Sequence, residues 1–448
     1  MIGFLRPGLR LPTKSDPYDG KDIQPCSGTW YEVEPTGFVC EGKLGVTSKL
    51  DDPRVAAASS WPALDGPMPF SYASSFGTPL YARLPSTEEQ RQVEGNVEAW
   101  RTRAEALRAK LPPEKRPPEL ALPVGQVPAF LQKRELSPIL LAGFEKARGV
   151  RGGFADGTRK LALVHAFESE GRTFYVTSEH FIVPADRLTP ARPSAFAGTL
   201  IAELEKPGVH LPVVWVRLSK TPAVVYELSD EVMHKTSASL PYHAYAEVLK
   251  DDVVQKSVRF HELKKAPDGL DAAKRYFVRA PEATRLDSVT SLPKSIEQND
   301  IWVDINLSKQ TLVLYKGMSP LFATLISSGS GTKGHVTPWG SYRVYQKHRS
   351  SRMSAPGRPS EGEGDPGDRP YTYDEVPYVQ YLVGGVAIHT AWWHDGFGTP
   401  RSHGCINVSP TDAKYLFEQM DPKLPEGWHG MAPGRAGLPN GSWVVIHG

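Results

Sequence analysis

Apolar residues along this chain come in short runs, many alternating with polar ones and most bounded by Gly, Pro, Asn, Asp or Ser. This is the pattern of β-strands joined by turns. Residues 161–167, 173–177, 180–183, 213–218 and 224–227 read as strands of a β-rich stretch that extends to about 286. Residues 301–315 read as a hairpin, 321–327 as a further strand, and 385–388 as a buried strand ending at His389. Helical periodicity is confined to a few places. Ser86-Thr87-Glu88-Glu89 opens one helix that runs to about Leu111, where Pro112-Pro113 stops it. Within it Val93, Val97, Trp100, Ala104 and Leu107 predict a core-facing stripe. A short helix is expected within 129–147 and another over 410–420. The fold class expected is mainly β and multidomain.

Length sets how this pattern divides. A chain of 448 residues exceeds what one core ordinarily supports. Residues 1–60 read as a small β module, 61–150 as a loop and helical segment, and 151–290 as one or more β-rich modules. After a polar linker at 288–300, residues 298–448 read as a C-terminal domain. Gly and Pro, 40 and 41 residues, suit short strands with many turns. A short echo between Arg172-Thr173-Phe174-Tyr175-Val176 and Arg275-Tyr276-Phe277-Val278 fits two related β modules or chance. Residues 346–372 are polar and rich in Gly, Pro, Arg and Glu, and so long a patternless stretch is expected to be disordered or functional.

Charge and hydropathy exclude some classes. A formal charge of +2 argues against a nucleic-acid binder that works by neutralising phosphates. No apolar run approaches the ~20 residues of a transmembrane helix, so no membrane span is expected. The opening Met1-Ile2-Gly3-Phe4-Leu5-Arg6-Pro7 lacks the apolar core and cleavage site of a signal peptide, and an export signal is expected to lie outside this sequence. Of the 3 cysteines, Cys26 and Cys40 flank a strand, Pro-x-Gly turn, strand pattern. A disulfide stapling that hairpin, and with it an oxidising compartment, is the first reading; two core thiols or half of a metal site are the others. Cys405 then stands alone as a candidate reactive thiol.

The candidate chemistry gathers at 386–409, which holds Cys405 with His389, His394 and His403. Ser402-His403-Gly404-Cys405 precedes the helical run at 410–420. A thiol at a helix start meets backbone N–H groups and the positive dipole end, which favour the thiolate. A histidine delivered by a neighbouring strand can serve as its base. Ile388-His389-Thr390, a glycine-containing spacer and Ser402-His403-Gly404-Cys405-Ile406-Asn407 together resemble the signature of the L,D-transpeptidases with a YkuD-like catalytic domain. That signature is a His, a spacer, Ser or Thr, His-Gly-Cys-x, then Asn or Arg. Two strands, a Ser-x-Gly turn and Thr337-Pro338-Trp339-Gly340 ahead of it also resemble this family.

The resemblance covers about 298–448 and implies a β-sandwich-type catalytic domain with short helices. It implies that Cys405 is the nucleophile and His389 the base, its ring oriented by the main-chain carbonyl of Thr390. Backbone N–H groups of His403, Gly404 and Cys405 would donate to the oxyanion, each worth roughly 3 kcal/mol. Ser402, His403 and Asn407 would orient the loop and contact the donor peptide. Arg401 would bind a substrate carboxylate or simply be solvated. Tyr378 and Trp393, with Tyr371, Tyr373, Tyr381 and Trp392, would line a substrate groove or pack the sheet. Residues 346–372 would occupy the position of a lid. The implied donor is a peptidoglycan stem tetrapeptide, and the implied acceptor is an amine of another stem, giving a 3→3 cross-link, or of a wall-attached protein. No cofactor is needed, carbapenems would acylate Cys405, and the location would be secreted, periplasmic or cell-wall-associated. The β modules before it resemble the SH3-like modules of bacterial wall enzymes, which would position the enzyme or gate its site.

Other readings compete. His389, His394, His403 and Cys405 have zinc-ligand chemistry, but lack a Cys-x-x-Cys or His-x-x-x-His frame, so no metal is expected. A hydrolase, with water resolving the thioester, would use the same residues. A non-catalytic wall-binding protein would have no chemical need for Cys405 and His389.

Overall fold

Strands carry most of the regular structure, and the longest described helix, Val97–Ala109, has 13 residues. The molecule is mainly β. The computed structural model describes residues 3–448 apart from 6–7, 21–25, 27, 35, 42–46, 50, 59–61, 63–64, 114–115, 117, 119, 121, 138–149, 203–205, 218–220, 333, 356–370 and 435–439. No helix among the described residues is long and apolar enough to cross a membrane.

The chain forms two compact units. One comprises Met1–Arg192, Arg349–Pro377 and Leu424–Met431; the other comprises Pro193–His348, Tyr378–Lys423 and Ala432–Gly448. The division at 192 and 193 therefore runs through the 151–290 block. The strands on its two sides enter different sheets, which local patterning does not reveal.

In the first unit, Arg159–Ser169 is the hub. It pairs antiparallel with Arg172–Thr177 and Ser71–Ser75, and parallel with Val124–Gly125. Leu161, Leu163 and Ala166 on this strand pack with Ala73, Tyr175 and Val183 in one apolar cluster. A small sheet of Tyr18–Asp19, Thr29–Glu32 and Phe38–Cys40 stands near the N-terminus, where the structure joins Cys26 to Cys40. The single helix expected over 86–111 is two helices, Thr87–Glu94 and Val97–Ala109. Ser86 and Glu89 form a capping box at the first. Gly95, with φ at +75°, ends it, and Asn96 caps the second. The expected core stripe is not one, because Val97–Ala109 buries no residue and Leu107 is exposed. Trp100 instead lies under the Arg187 guanidinium, 3.9 Å from it.

The patternless stretch at 346–372 also differs from expectation. Its described ends belong to the strands Gln346–Ala355 and Tyr371–Val383, while 356–370, and any lid formed there, lie outside the described residues.

In the second unit a six-stranded sheet runs in the order Thr199–Leu200, Ser319–Leu325, Thr311–Lys316, Ile301–Asn306, Trp443–His447, Gly340–Arg343. Only Ile301–Asn306 with Trp443–His447 is parallel, so the end of the chain closes against the first strand of the C-terminal domain. A seven-stranded sheet is built from residues 213–286. Phe196, Trp215 and Leu286 share one apolar cluster with Trp302, Leu325, Ala391 and Phe397. The 193–290 block and the C-terminal domain thus have a common core.

Candidate active site

Val386–Thr390 and Ile406–Val408 lie side by side as parallel strands, with Ile388 opposite Ile406, His389 opposite Asn407 and Thr390 opposite Val408. Side chains alternate between faces along a strand. His389 and Asn407, paired across the two strands, therefore share one face, and Cys405 lies two residues before Asn407, just ahead of the second strand. Residues far apart in sequence are brought together here by the strand pairing.

His389 is buried, and its Nδ1 lies 2.8 Å from the Thr390 carbonyl oxygen. A carbonyl only accepts, so Nδ1 carries the proton and Nε2 is left as the basic nitrogen. Desolvation, partly opposed by that hydrogen bond, pushes the ring's pKa down to about 4, so the base is neutral at neutral pH. Trp393 is half-buried with its ring 5.9 Å from the His389 ring.

Cys405 is a free, partly exposed cysteine whose thiol lies 3.8 Å from the Gly385 carbonyl. It does not start a helix. The strand Ile406–Val408 intervenes, and the helix Pro410–Gln419 has its own cap in Ser409, whose hydroxyl accepts from the Asp412 N–H. The expected dipole activation is therefore absent. Burial pushes the Cys405 thiol up from its ordinary value, with the Ala387 N–H opposing. The resting pair is a neutral thiol and a neutral imidazole.

The turn before the thiol is closed by its own serine. Ser402 Oγ donates to the Cys405 carbonyl at 2.5 Å and accepts from the Gly404 N–H at 3.0 Å. The Gly404 N–H is thus engaged within the turn, which leaves the expected set of oxyanion donors without it. Gly404 itself has φ at +134°, a conformation L side chains rarely adopt. Thr337 Oγ1 donates to the Gly404 carbonyl at 2.8 Å and accepts from the Gly329 N–H at 2.8 Å. Ser328 accepts from both Arg401 and Ser402 through its carbonyl, and Ser327 exchanges two 2.9 Å backbone bonds with Asn407. The Ser-x-Gly turn and the Thr-Pro-x-Gly segment are therefore the supports of the cysteine turn.

The remaining expected residues separate. His403 is exposed, its ring 4.1 Å from that of His335. Arg401 is exposed and its Nε donates to Thr399 Oγ1 at 3.2 Å. Tyr378 is not a groove residue: it is 2% exposed and packs its ring 5.3 Å from Phe417 of the helix Pro410–Gln419. Its aromatic bulk is spent on the seam between strand and helix. Among the described residues no group of three or more His, Cys, Asp or Glu is placed to hold a metal ion. His394 sits instead in hydrogen bonds to Gly396 and Asn407.

Comparison with known proteins finds similarity to L,D-transpeptidases over the C-terminal third. The model of the L,D-transpeptidase catalytic domain, YkuD, matches residues 300–446. The Bacillus subtilis (strain 168) protein named "Putative L,D-transpeptidase YciB" is 27% identical over 133 residues, which are 28% of this chain and 63% of that protein. The chain thus spans somewhat under two thirds of that curated relative. An Enterococcus faecium L,D-transpeptidase structure is similar at 23% identity, covering 36% of this chain and 55% of that one, with a TM-score of 0.25. L,D-transpeptidase 3 of Mycobacterium tuberculosis is similar at 18% identity, covering 43% of this chain and 78% of that one, also with a TM-score of 0.25. The match begins beside Ile301–Asn306, so the 193–290 block, whose residues share a core with it, lies outside the match.

Proposed function

We propose that the chain is a cysteine-dependent peptidoglycan L,D-transpeptidase of the bacterial cell envelope. The observation that carries this reading is the pairing of His389 with Asn407, two residues after Cys405, with His389 Nδ1–H committed to Thr390 and Nε2 left basic. His389 Nε2 takes the Cys405 proton as sulfur attacks the carbonyl at the L,D bond of a stem tetrapeptide. General-base help is required because burial holds the thiol neutral. With the Gly404 N–H engaged in the turn, the Cys405 N–H is assigned to the developing oxyanion. Collapse breaks the C–N bond, His389 returns the proton to the leaving amine, and the terminal D-amino acid departs, leaving a thioester on Cys405. An acceptor amine then attacks the thioester carbonyl and passes its proton to His389. The C–S bond breaks and the thiol is restored. The step needs no cofactor. Trp393 beside His389 and Ser402 beneath the turn shape the donor site.

The test is intact-protein mass spectrometry of the full chain with a carbapenem, on wild type and Cys405→Ala. A single adduct on wild type that is lost in the variant is expected. Wild-type protein that folds and stays unmodified would count against Cys405 as nucleophile. Incubation with disaccharide tetrapeptides then reads the reaction itself: cross-linked dimers are expected, and tripeptides alone would make the enzyme a carboxypeptidase.

A further inference from the structure

We propose that His394 is a positioning residue that fixes which end of the Asn407 amide faces the reacting groups, and that the 193–290 block holds His394 in place to do so. This rests on the reading of Cys405 and His389 given above. The Gly396 N–H donates to His394 Nδ1 at 3.1 Å. A backbone N–H can only donate, so Nδ1 carries no proton. Burial, with Arg401 and His389 nearby and only Asp395 opposing, pushes the ring down to about 4 and keeps it neutral. A neutral imidazole has one proton, which must then be on Nε2. Nε2 lies 3.1 Å from the end of the Asn407 side chain.

A protonated Nε2 needs an acceptor, so Asn407 must present its amide oxygen to His394. Amide oxygen and nitrogen are nearly isosteric, and their assignment follows from such partners. The opposite terminal atom of Asn407 is buried without a partner among the described residues, and Asn407 as a whole is 3% exposed. In this orientation that atom is the NH2 group. A buried donor with nothing to bond is costly unless a ligand meets it. Asn407 is paired across the strands with His389, so the group of matching chemistry for this donor is a carbonyl oxygen of the donor peptide. The reverse orientation would set two donors against each other at His394 and offer the substrate carbonyl an acceptor. His394 thus decides whether Asn407 attracts or repels the substrate oxygen.

The loop that carries His394 is held from the 193–290 block. Tyr242 Oη donates to the Asp395 carbonyl at 2.9 Å and to the Phe397 carbonyl at 3.2 Å. Arg217 Nη1 donates to the Gly398 carbonyl at 2.9 Å. The Phe397 ring stacks 5.7 Å from Phe196 and lies 5.0 Å from the His394 ring. These contacts fix the peptide whose N–H sets the tautomer.

The experiment uses the full chain with 15N-labelled histidine. Long-range 1H–15N spectra, assigned by comparison with His394→Ala, are expected to show His394 as the Nε2–H tautomer. In kinetics, His394→Ala is expected to slow carbapenem acylation of Cys405 by roughly 10²-fold, the scale of losing one oriented donor. Alkylation by iodoacetamide, in which sulfur displaces iodide at a saturated carbon and no carbonyl is attacked, should stay at the wild-type rate. His394→Gln, whose side-chain NH2 can donate to the same oxygen, should recover acylation to within several-fold. An Nδ1–H tautomer, an unchanged acylation rate in His394→Ala, or equal loss of acylation and alkylation would each overturn the assignment. If His394→Ala does not fold, the tautomer can be assigned with the Gln variant and decides alone. A wild type that is alkylated but never acylated would count against the transpeptidase reading, while the tautomer still judges His394.

Discussion

Two buried polar clusters, one in each unit, use opposite bonding strategies. In the first, Arg172 is 5% exposed and all of its guanidinium N–H donors are bonded. Nε and Nη2 reach Asp186, Nη1 reaches Gln90 and Glu94, and Nη2 also reaches Glu94. Glu94 also accepts from Tyr81 at 2.6 Å and from Arg187 at 3.0 Å, and these partners keep its carboxyl below its ordinary value despite burial. In the second, His389 keeps one nitrogen basic and Asn407 keeps one amide end without a partner among the described residues. The charged cluster is saturated and has nothing left to offer a ligand. The neutral cluster is deliberately short of partners, and its missing bonds are those a substrate would supply. Spare bonding capacity, rather than burial, separates this cluster from that of Arg172.

The sharpest way to break the comparison is at the base. His389→Ala should lower carbapenem acylation by roughly 10²- to 10⁴-fold, the usual worth of a positioned general base, with the thermal midpoint nearly unchanged. A large fall in the midpoint would make His389 part of the scaffold. The reverse holds for Arg172→Ala. Removing one partner of a buried pair should destabilise by about 3–5 kcal/mol in urea denaturation, while the folded fraction acylates at the wild-type rate. Little destabilisation would mean that saturation is not what the first cluster contributes.

Acidity sharpens the contrast further. His389 must be unprotonated to accept the Cys405 proton, and burial has moved its pKa from 6.5 down to about 4. Acylation should therefore persist as pH falls from neutral through 6.5 and be lost only near 4. A half-point near 6.5 would show that the ring is solvated when the enzyme works. The smallest effect is expected at Tyr242→Phe, which removes one hydroxyl from the His394 loop. A destabilisation of about 1 kcal/mol and a few-fold slower acylation are expected. A rate equal to wild type would show that the loop holds its shape without this bond.

Much of the site was legible in the sequence because it is local. Ser402 to Asn407 is one continuous segment, and the thiol, the glycine and the serine that closes the turn must be adjacent to make it. The legible parts of the fold are likewise local: Ser86 with Glu89 marks a helix start, Ser409 and Pro410 another, and the hairpin of Ile301–Asn306 with Thr311–Lys316 follows the alternation of its residues. The strands Val232–Leu240, Tyr245–Gln255 and Val258–Leu263 were not legible. Many of their residues are exposed and polar. Their turns at Asp230-Glu231 and Lys256-Ser257 take positive φ without the glycine that usually announces it. Tyr378 misled for the opposite reason: an aromatic beside a motif looks the same in sequence whether it lines a groove or fills a core.

The sequence by itself determined which residues could carry the proposed chemistry. A cysteine in a Ser-His-Gly-Cys-Ile-Asn segment, with a His at the end of an apolar strand, offers a nucleophile and a base because those chemistries belong to residue types. Tertiary structure alone decided their states. It placed Cys405 before a strand rather than a helix, so that burial holds the thiol neutral and the imidazole must activate it. It also brought Tyr242 and Arg217 to the loop of His394 across long sequence separations. Protonation and tautomer depend on desolvation and on partners distant in the chain, and neither is encoded at the position that titrates.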